Sequence, residues 1–134
     1  MRNFVLIIIS ICFYSYHAFS QVCTPEPRTG FPGLTPSTDS LACIERGIYY
    51  DEVIFLENFD SFFTQSFGVI TVNFLRIDSF TNIPCGIQWE TNKLDNTYGP
   101  GETGCISISG TSTDSVGQYR LGLYITVEVN LGVT

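Results

Sequence analysis

The sequence predicts an all-β protein built as an antiparallel two-layer sandwich, and three observations predict it. From Tyr119 to Leu131 apolar residues occupy every second position (Tyr119, Leu121, Leu123, Ile125, Val127, Val129, Leu131), with Arg120, Tyr124, Thr126, Glu128 and Asn130 between them. Alternation over that length marks an antiparallel strand with one face on a core and the other in water. Shorter runs of the same kind recur from Ile48 onward, parted by stretches rich in Gly, Asn, Asp and Thr. No segment holds a 3.6-residue period between caps, so little or no helix is expected. Short strands at this spacing over about 90 residues suit a sandwich.

Residues 1–20 read as a cleaved leader. Arg2 gives a positive start, Phe4 to Tyr14 an apolar run, and Ala18 and Ser20 small residues at the −3 and −1 positions. The run is shorter than the roughly 20 apolar residues that a bilayer demands. Cleavage is expected after Ser20, leaving Gln21 first, 114 residues in one domain and no membrane-spanning segment. Thirteen acidic residues then face five basic ones, a net charge of −8, which argues against nucleic acid or an anionic membrane as partner.

Residues 21–41 hold four of the six prolines and no apolar period, and read as an extended lead-in acting as a spacer. Ile48–Phe59 begins the strand pattern, and the unbroken apolar run Val53–Leu56 predicts a strand buried on both sides or crossing between sheets. Residues 61–67 read as a turn carrying aromatics. Over Val69–Phe80 the alternation slips: Ile70, Val72 and Phe74 share one face, then Leu75 and Ile77 take over, as a β-bulge would produce. Ile83–Trp89 is a further strand with Trp89 on the core side. Residues 91–104 form a long loop, and Cys105–Ser109 a short strand. The core is expected between the Val69–Phe80 strand and the last strand.

Removal of the leader also removes His17, the only histidine, and Cys12. His-based triads and His-containing zinc sites are thereby excluded from the mature chain. The four remaining cysteines, Cys23, Cys43, Cys85 and Cys105, are an even set in a small exported domain and read as disulfides. Three pairings are open. The local ones, Cys23–Cys43 and Cys85–Cys105, are expected, because each closes a short loop rich in turn residues, worth roughly 3 kcal/mol apiece. A four-thiolate zinc site lacks its usual close paired spacing.

Candidate chemistry is sparse. Asp51, Glu52, Glu57 and Asp60 could supply a carboxylate pair, but neighbours on a solvated strand edge explain them more simply. Asp95, Asn96 and Glu102 share a loop with oxygen ligands suited to calcium, in no recognised calcium-loop spacing. Tyr49, Tyr50, Phe62, Phe63, Trp89 and Tyr98 could line a sugar-stacking face, with Tyr98, in a Gly-Pro loop, the best surface contact. The possible ligand contacts are therefore Tyr98, Asp95, Asn96 and Glu102. Catalytic, cofactor and metal sites are expected to be none. Gly104 and Gly110 are expected to supply positive φ, and Tyr119 to set its ring at the core edge with its hydroxyl near the surface.

Ile83-Pro84-Cys85-Gly86-Ile87, then Gly104-Cys105-Ile106-Ser107-Ile108-Ser109-Gly110-Thr111, then Gly117-Gln118-Tyr119 opening a long strand, resemble the immunoglobulin-like modules of exported Bacteroidota surface proteins, in their disulfide-bearing form. The resemblance spans roughly Leu41 to Leu131 and includes Leu75–Ser79. Ser112 stands where those modules usually carry Pro after the Gly-Thr turn, and nothing here looks like their C-terminal sorting domain. The resemblance implies an immunoglobulin-like sandwich over residues 42–134, secreted or at the cell surface. Its expected role is non-catalytic, structural or adhesive, with an unknown protein or glycan partner, alone or as part of a larger multidomain protein. A carbohydrate-binding module is the alternative, and a small His-free hydrolase the third reading.

Overall fold

The computed structural model describes residues 22–37 and 40–131. The leader, its cleavage after Ser20 and the new terminus at Gln21 lie outside the described residues. Eight strands make up the fold: β1 (Gly33–Thr35), β2 (Tyr49–Glu57), β3 (Ser61–Thr64), β4 (Gly68–Thr81), β5 (Ile87–Thr91), β6 (Thr97–Tyr98), β7 (Thr103–Thr111) and β8 (Gly122–Leu131). All pairings are antiparallel. One sheet has the order β1-β2-β7-β5; in the other β4 is central. Strand β8 pairs with β4 from Ile70 to Thr81, so β3 and β6, which pair with Gly68–Thr71 and Leu75–Arg76, share the opposite edge of β4. The expected all-β, two-layer architecture is what the chain adopts.

The first sheet explains its own sequence pattern. Register places Tyr50, Gly110 and Ile87 in one cross-strand row, and Ile54, Ile106 and Thr91 in another. These rows face the second sheet, and Tyr50, Ile54, Leu56, Ile87, Ile106 and Ile108 meet Leu75, Ile77 and Tyr98 in the core. Ile77 is 1% exposed, and burying a side chain of that size contributes about 1.5–3 kcal/mol. The other face of β2 and β7 carries Phe55 opposite Cys105. Cys105 is fully buried although it points away from the core rows, because Cys23 of the lead-in is bonded to it. The unbroken run Val53–Leu56 is therefore apolar because both of its faces are covered, one by the second sheet and one by the lead-in.

The slip in alternation along β4 is a bulge. Ile70 and Val72 are buried, then Leu75 and Ile77, and the register against β8 shifts between Val72 and Phe74. A second shift lies between Ile77 and Ser79. An extra residue in one strand changes which parity faces the core, which is the change of phase legible in the residues.

Several expectations are corrected. The disulfide is Cys23–Cys105, with Cα atoms 6.1 Å apart, while Cys43 and Cys85 are free and exposed. The expected local pairs Cys23–Cys43 and Cys85–Cys105 fail because proximity here is set by sheet packing rather than by loop length. The segment read as a spacer contains β1, which pairs with Phe55–Glu57. Residues 61–67 are not simply a turn: Ser61–Thr64 is a strand hairpinned onto β4. Strand β5 begins at Ile87, later than expected, because Pro84 accepts a hydrogen bond from Ile87 N–H (3.1 Å) in a turn. Of the two glycines expected at positive φ, only Gly110 has it (139°). Gly104 is needed for space, since a Cβ there would overlap the Tyr98 ring.

Candidate functional site

The loop read as a possible ligand site, residues 91–104, is a structural knot. Tyr98 sits on β6 opposite Leu75 of β4, which turns its ring inward. It is 0% exposed, so it is not the surface contact expected of it. Its hydroxyl donates to Asn92 Oδ1 (3.0 Å), which also accepts from Cys105 N–H (3.0 Å). Burial, above all, pushes the Tyr98 phenol above its ordinary value. Lys93 Nζ lies 5.3 Å from the centre of the Tyr98 ring and pairs with Glu102. Such a cation over an aromatic face is favourable.

The three oxygen-bearing residues of this loop each hold the loop itself. Asp95 accepts from Thr97 N–H (3.2 Å). Asn96, at φ 54°, accepts from the Thr91 hydroxyl (2.7 Å). Glu102 accepts from Gly99 N–H (2.7 Å) as well as from Lys93. Burial works against the Glu102 charge most strongly, but the bonds from Lys93 and Gly99 outweigh it and hold the carboxyl below its ordinary range. Among the described residues no group of three or more His, Cys, Asp or Glu could hold a metal ion.

The acidic set divides in two. Asp51 and Glu52 lie near the start of β2, and Glu57 ends it, so the strand itself keeps them roughly 20 Å apart. Glu57 is 7% exposed and is the anchor of the lead-in. It accepts from Thr29 N–H (2.8 Å), Thr29 Oγ1 (2.7 Å), Gly30 N–H (2.9 Å) and Arg28 Nε (3.3 Å). Arg28 also pairs with Asp60. Burial opposes the Glu57 charge most, yet the four bonds together keep its carboxyl below the ordinary value. A carboxylate so engaged is a clamp, not a proton-transfer group.

The aromatics do not form one face. Tyr49 (66% exposed) and Tyr50 (9%) point to opposite sides of β2, Trp89 packs on Phe80 with ring centroids 5.1 Å apart, and Phe63 (73%) lies on β3 in the other sheet. Tyr119 is half in solvent, with its hydroxyl donating to Ser115 O (2.8 Å).

Sequence reasoning missed Asn58, which is fully buried. Its side-chain NH2 donates to Tyr98 O (3.0 Å) and Gly99 O (2.8 Å), and its oxygen accepts from Phe59 N–H (2.8 Å). A single Asn after a strand carries no signal of this kind, since its partners are forty residues away. It missed Arg28 for the same reason, its partners Glu57 and Asp60 lying 29 and 32 residues on.

What the arrangement leaves open to solvent is the far side of β8. That strand is bonded on one edge only among the described residues, and Ile125, Val127 and Leu131 of its inward row are 47%, 41% and 43% exposed. Ile125 and Leu123 overlook a cavity of about 120 Å³ between the sheets, which Leu34, Leu56, Leu75 and Ile77 complete. No helix among the described residues is long and apolar enough to cross a membrane. Comparison of the chain with protein-family models, with curated proteins and with solved structures finds no match.

Proposed function

We propose that this chain is an exported, non-catalytic β-sandwich of immunoglobulin-like type, serving as a structural or adhesive module in the cell envelope or outside the cell. The observation that carries the reading is strand order. In the immunoglobulin arrangement one sheet runs A-B-E-D and strands C and F pair in the other. Taking β1, β2, β4, β5, β7 and β8 as A to F, the order β1-β2-β7-β5 and the pair β4–β8 follow the same scheme. The buried Cys23–Cys105 bond supports an oxidising destination. Glu57, Asp60, Asp95, Asn96 and Glu102, among the residues singled out for chemistry, are engaged in holding the lead-in or their own loop, which supports a role without catalysis.

Expression with the native leader, followed by fractionation and intact-mass measurement, tests the export half of the proposal. The expected product lies outside the cytoplasm, lacks residues 1–20 and carries the Cys23–Cys105 bond. A cytoplasmic product of the full 14.9 kDa overturns it. A hydrolase panel tests the other half, and reproducible turnover by the folded protein would refute a non-catalytic role.

A further inference from the structure

We propose that the hairpin of β3 and β4 is a lipid-contacting tip, which rests its aromatic side chains in the headgroup zone of a zwitterionic bilayer.

The hairpin stands clear of the rest of the sandwich. Val72 N–H donates to Asp60 O (3.0 Å), and Asp60 is tied through Arg28 to Glu57, where β2 ends. Residues 61–71 lie beyond that point and, among the described residues, pair only with each other and with the end of β8. The paired stretch from Ser61 to Thr64 carries the turn roughly 13 Å outward. The turn has a fixed shape: Gln65 to Phe67 lead into Gly68 at φ 71°, and Phe67 N–H donates to Thr64 Oγ1 (3.2 Å).

This tip gathers large apolar side chains in water. Phe63 and Val69 stand directly opposite each other on the outward face, 73% and 60% exposed, and Phe67 at the turn is 60% exposed. On the other face Phe62 sets its ring edge against Phe59, with centroids 6.3 Å apart, and the two remain 38% and 43% exposed. Exposed apolar groups collected in one place mark a contact surface, whereas single ones need no explanation. Strands β4 and β8 themselves separate Phe63 from the open edge of β8, so its exposure does not depend on what pairs there.

Charge and backbone select the partner. No residue from Ser61 to Leu75 is charged, and no other stretch of that length beyond Glu26 lacks a charge. The tip therefore offers nothing to an ionic partner. The chain around it, with thirteen acidic residues to six basic, is repelled by an anionic bilayer. Leaving water requires backbone N–H and C=O groups to be met within the segment. Along β4 they are met by β3 and, from Ile70, by β8, while the outer edge of the short β3 still needs water. Thr64, Gln65 and Ser66 are polar but uncharged and set the same limit on depth. Both fit a hairpin lodged about 5–10 Å into the interface without entering the hydrocarbon. Further down, Glu128 accepts from Asn73 (2.9 Å) and Arg76 pairs with Asp78, and these exposed charges confine the contact to the tip.

Flotation with phosphatidylcholine vesicles tests the proposal, using protein expressed from Gln21 so that the apolar run Phe4–Tyr14 is absent. The expected result is flotation with phosphatidylcholine and less of it when phosphatidylglycerol is mixed in, the difference closing as salt rises. Phe63→Ser and Phe67→Ser, with folding checked by circular dichroism, are each expected to lower the partition coefficient roughly tenfold. Leu94→Ser and Val116→Ser, at side chains exposed elsewhere, are expected to leave it unchanged. In the unaltered protein, vesicles should slow hydrogen exchange at residues 61–71 alone. Absence of flotation in excess phosphatidylcholine overturns the proposal, as does binding that survives Phe63→Ser with Phe67→Ser. Exchange slowed only outside the hairpin, or tighter binding to phosphatidylglycerol, overturns it too. A dimer abolished by these serines, in a protein that does not float, overturns it in favour of a second copy. Lipid contact gives the adhesive role proposed above its surface and rests on that reading; its failure leaves export and the lack of catalysis standing, since fractionation and turnover read those.

Discussion

Tyr98 is where one side chain carries the most structure. Its ring fills the core, its hydroxyl and the Cys105 amide share one acceptor on Asn92, and Gly104 leaves the space it occupies. Replacing Tyr98 by Ala removes a large buried ring and is expected to cost about 3–5 kcal/mol in chemical denaturation. Tyr98→Phe keeps the ring and loses one hydrogen bond, about 0.5–1.5 kcal/mol, because Asn92 keeps its other donor. Gly104→Ala drives a methyl into the same ring and is expected to cost about 1–3 kcal/mol, measured in the same way. The Gly-Pro composition around Tyr98 marks a loop in the sequence, but not which loop residue turns inward. That choice is made by the pairing of Tyr98 with Leu75, twenty-three positions earlier, which no local pattern records.

Among the elements, the lead-in shows how a segment without periodicity can be an integral part of a sheet. It is fastened three times: by β1 to β2, by Arg28, Thr29 and Gly30 to Glu57, and by Cys23 to Cys105. Because the Glu57 carboxyl is held below its ordinary value of 4.5, its contribution to folding is whole above that pH and is lost as the pH falls through the lower folded-state value. Glu57→Gln is therefore expected to flatten the acid limb of a stability-versus-pH curve. It is also expected to quicken tryptic cleavage after Arg28 at neutral pH; a curve and cleavage rate matching the parent would show that the clamp does not hold. The disulfide joins residues 82 apart, and by the chain-entropy model such a link is worth about 4–5 kcal/mol. Selective reduction should lower the unfolding free energy, measured by chemical denaturation, by an amount in that range, whereas Cys43→Ser with Cys85→Ser should change it by no more than about 0.5 kcal/mol. The slip in β4, by contrast, was written in the order Ile70, Val72, then Leu75, Ile77, since a bulge acts on adjacent residues and leaves its trace among them.

At the scale of the whole molecule, the two sheets share one core built from β2, β4, β5, β6 and β7. Unfolding is accordingly expected as a single transition, with far-ultraviolet and near-ultraviolet circular dichroism tracing the same curve; two separated transitions would mean that the sheets are independent units. The antiparallel, two-layer character was legible from alternation and turn residues, because these depend on faces and on neighbours in sequence. Strand partners and the disulfide were not, because Cys23, β1 and Asn58 each find their partners twenty or more residues away. For the same reason the acidic and aromatic candidates looked like clusters in the sequence and are dispersed in the fold.

The placement of the Cys23–Cys105 disulfide bears on the order in which the molecule can be finished. Of the four cysteines beyond residue 20, Cys23 is made first, and Cys43 and Cys85 both appear before Cys105, the partner that Cys23 takes in the end. Until Cys105 is made, Cys43 and Cys85, the later thiols that Cys23 can meet, are ones the finished sandwich leaves unpaired. Correct bonding must therefore wait for β7 or be reached by exchange from a premature bond, through attack of a free thiolate on it. The two cysteines left exposed are thus competitors during assembly, and removing both should shorten oxidative refolding even where it leaves the finished protein's stability untouched.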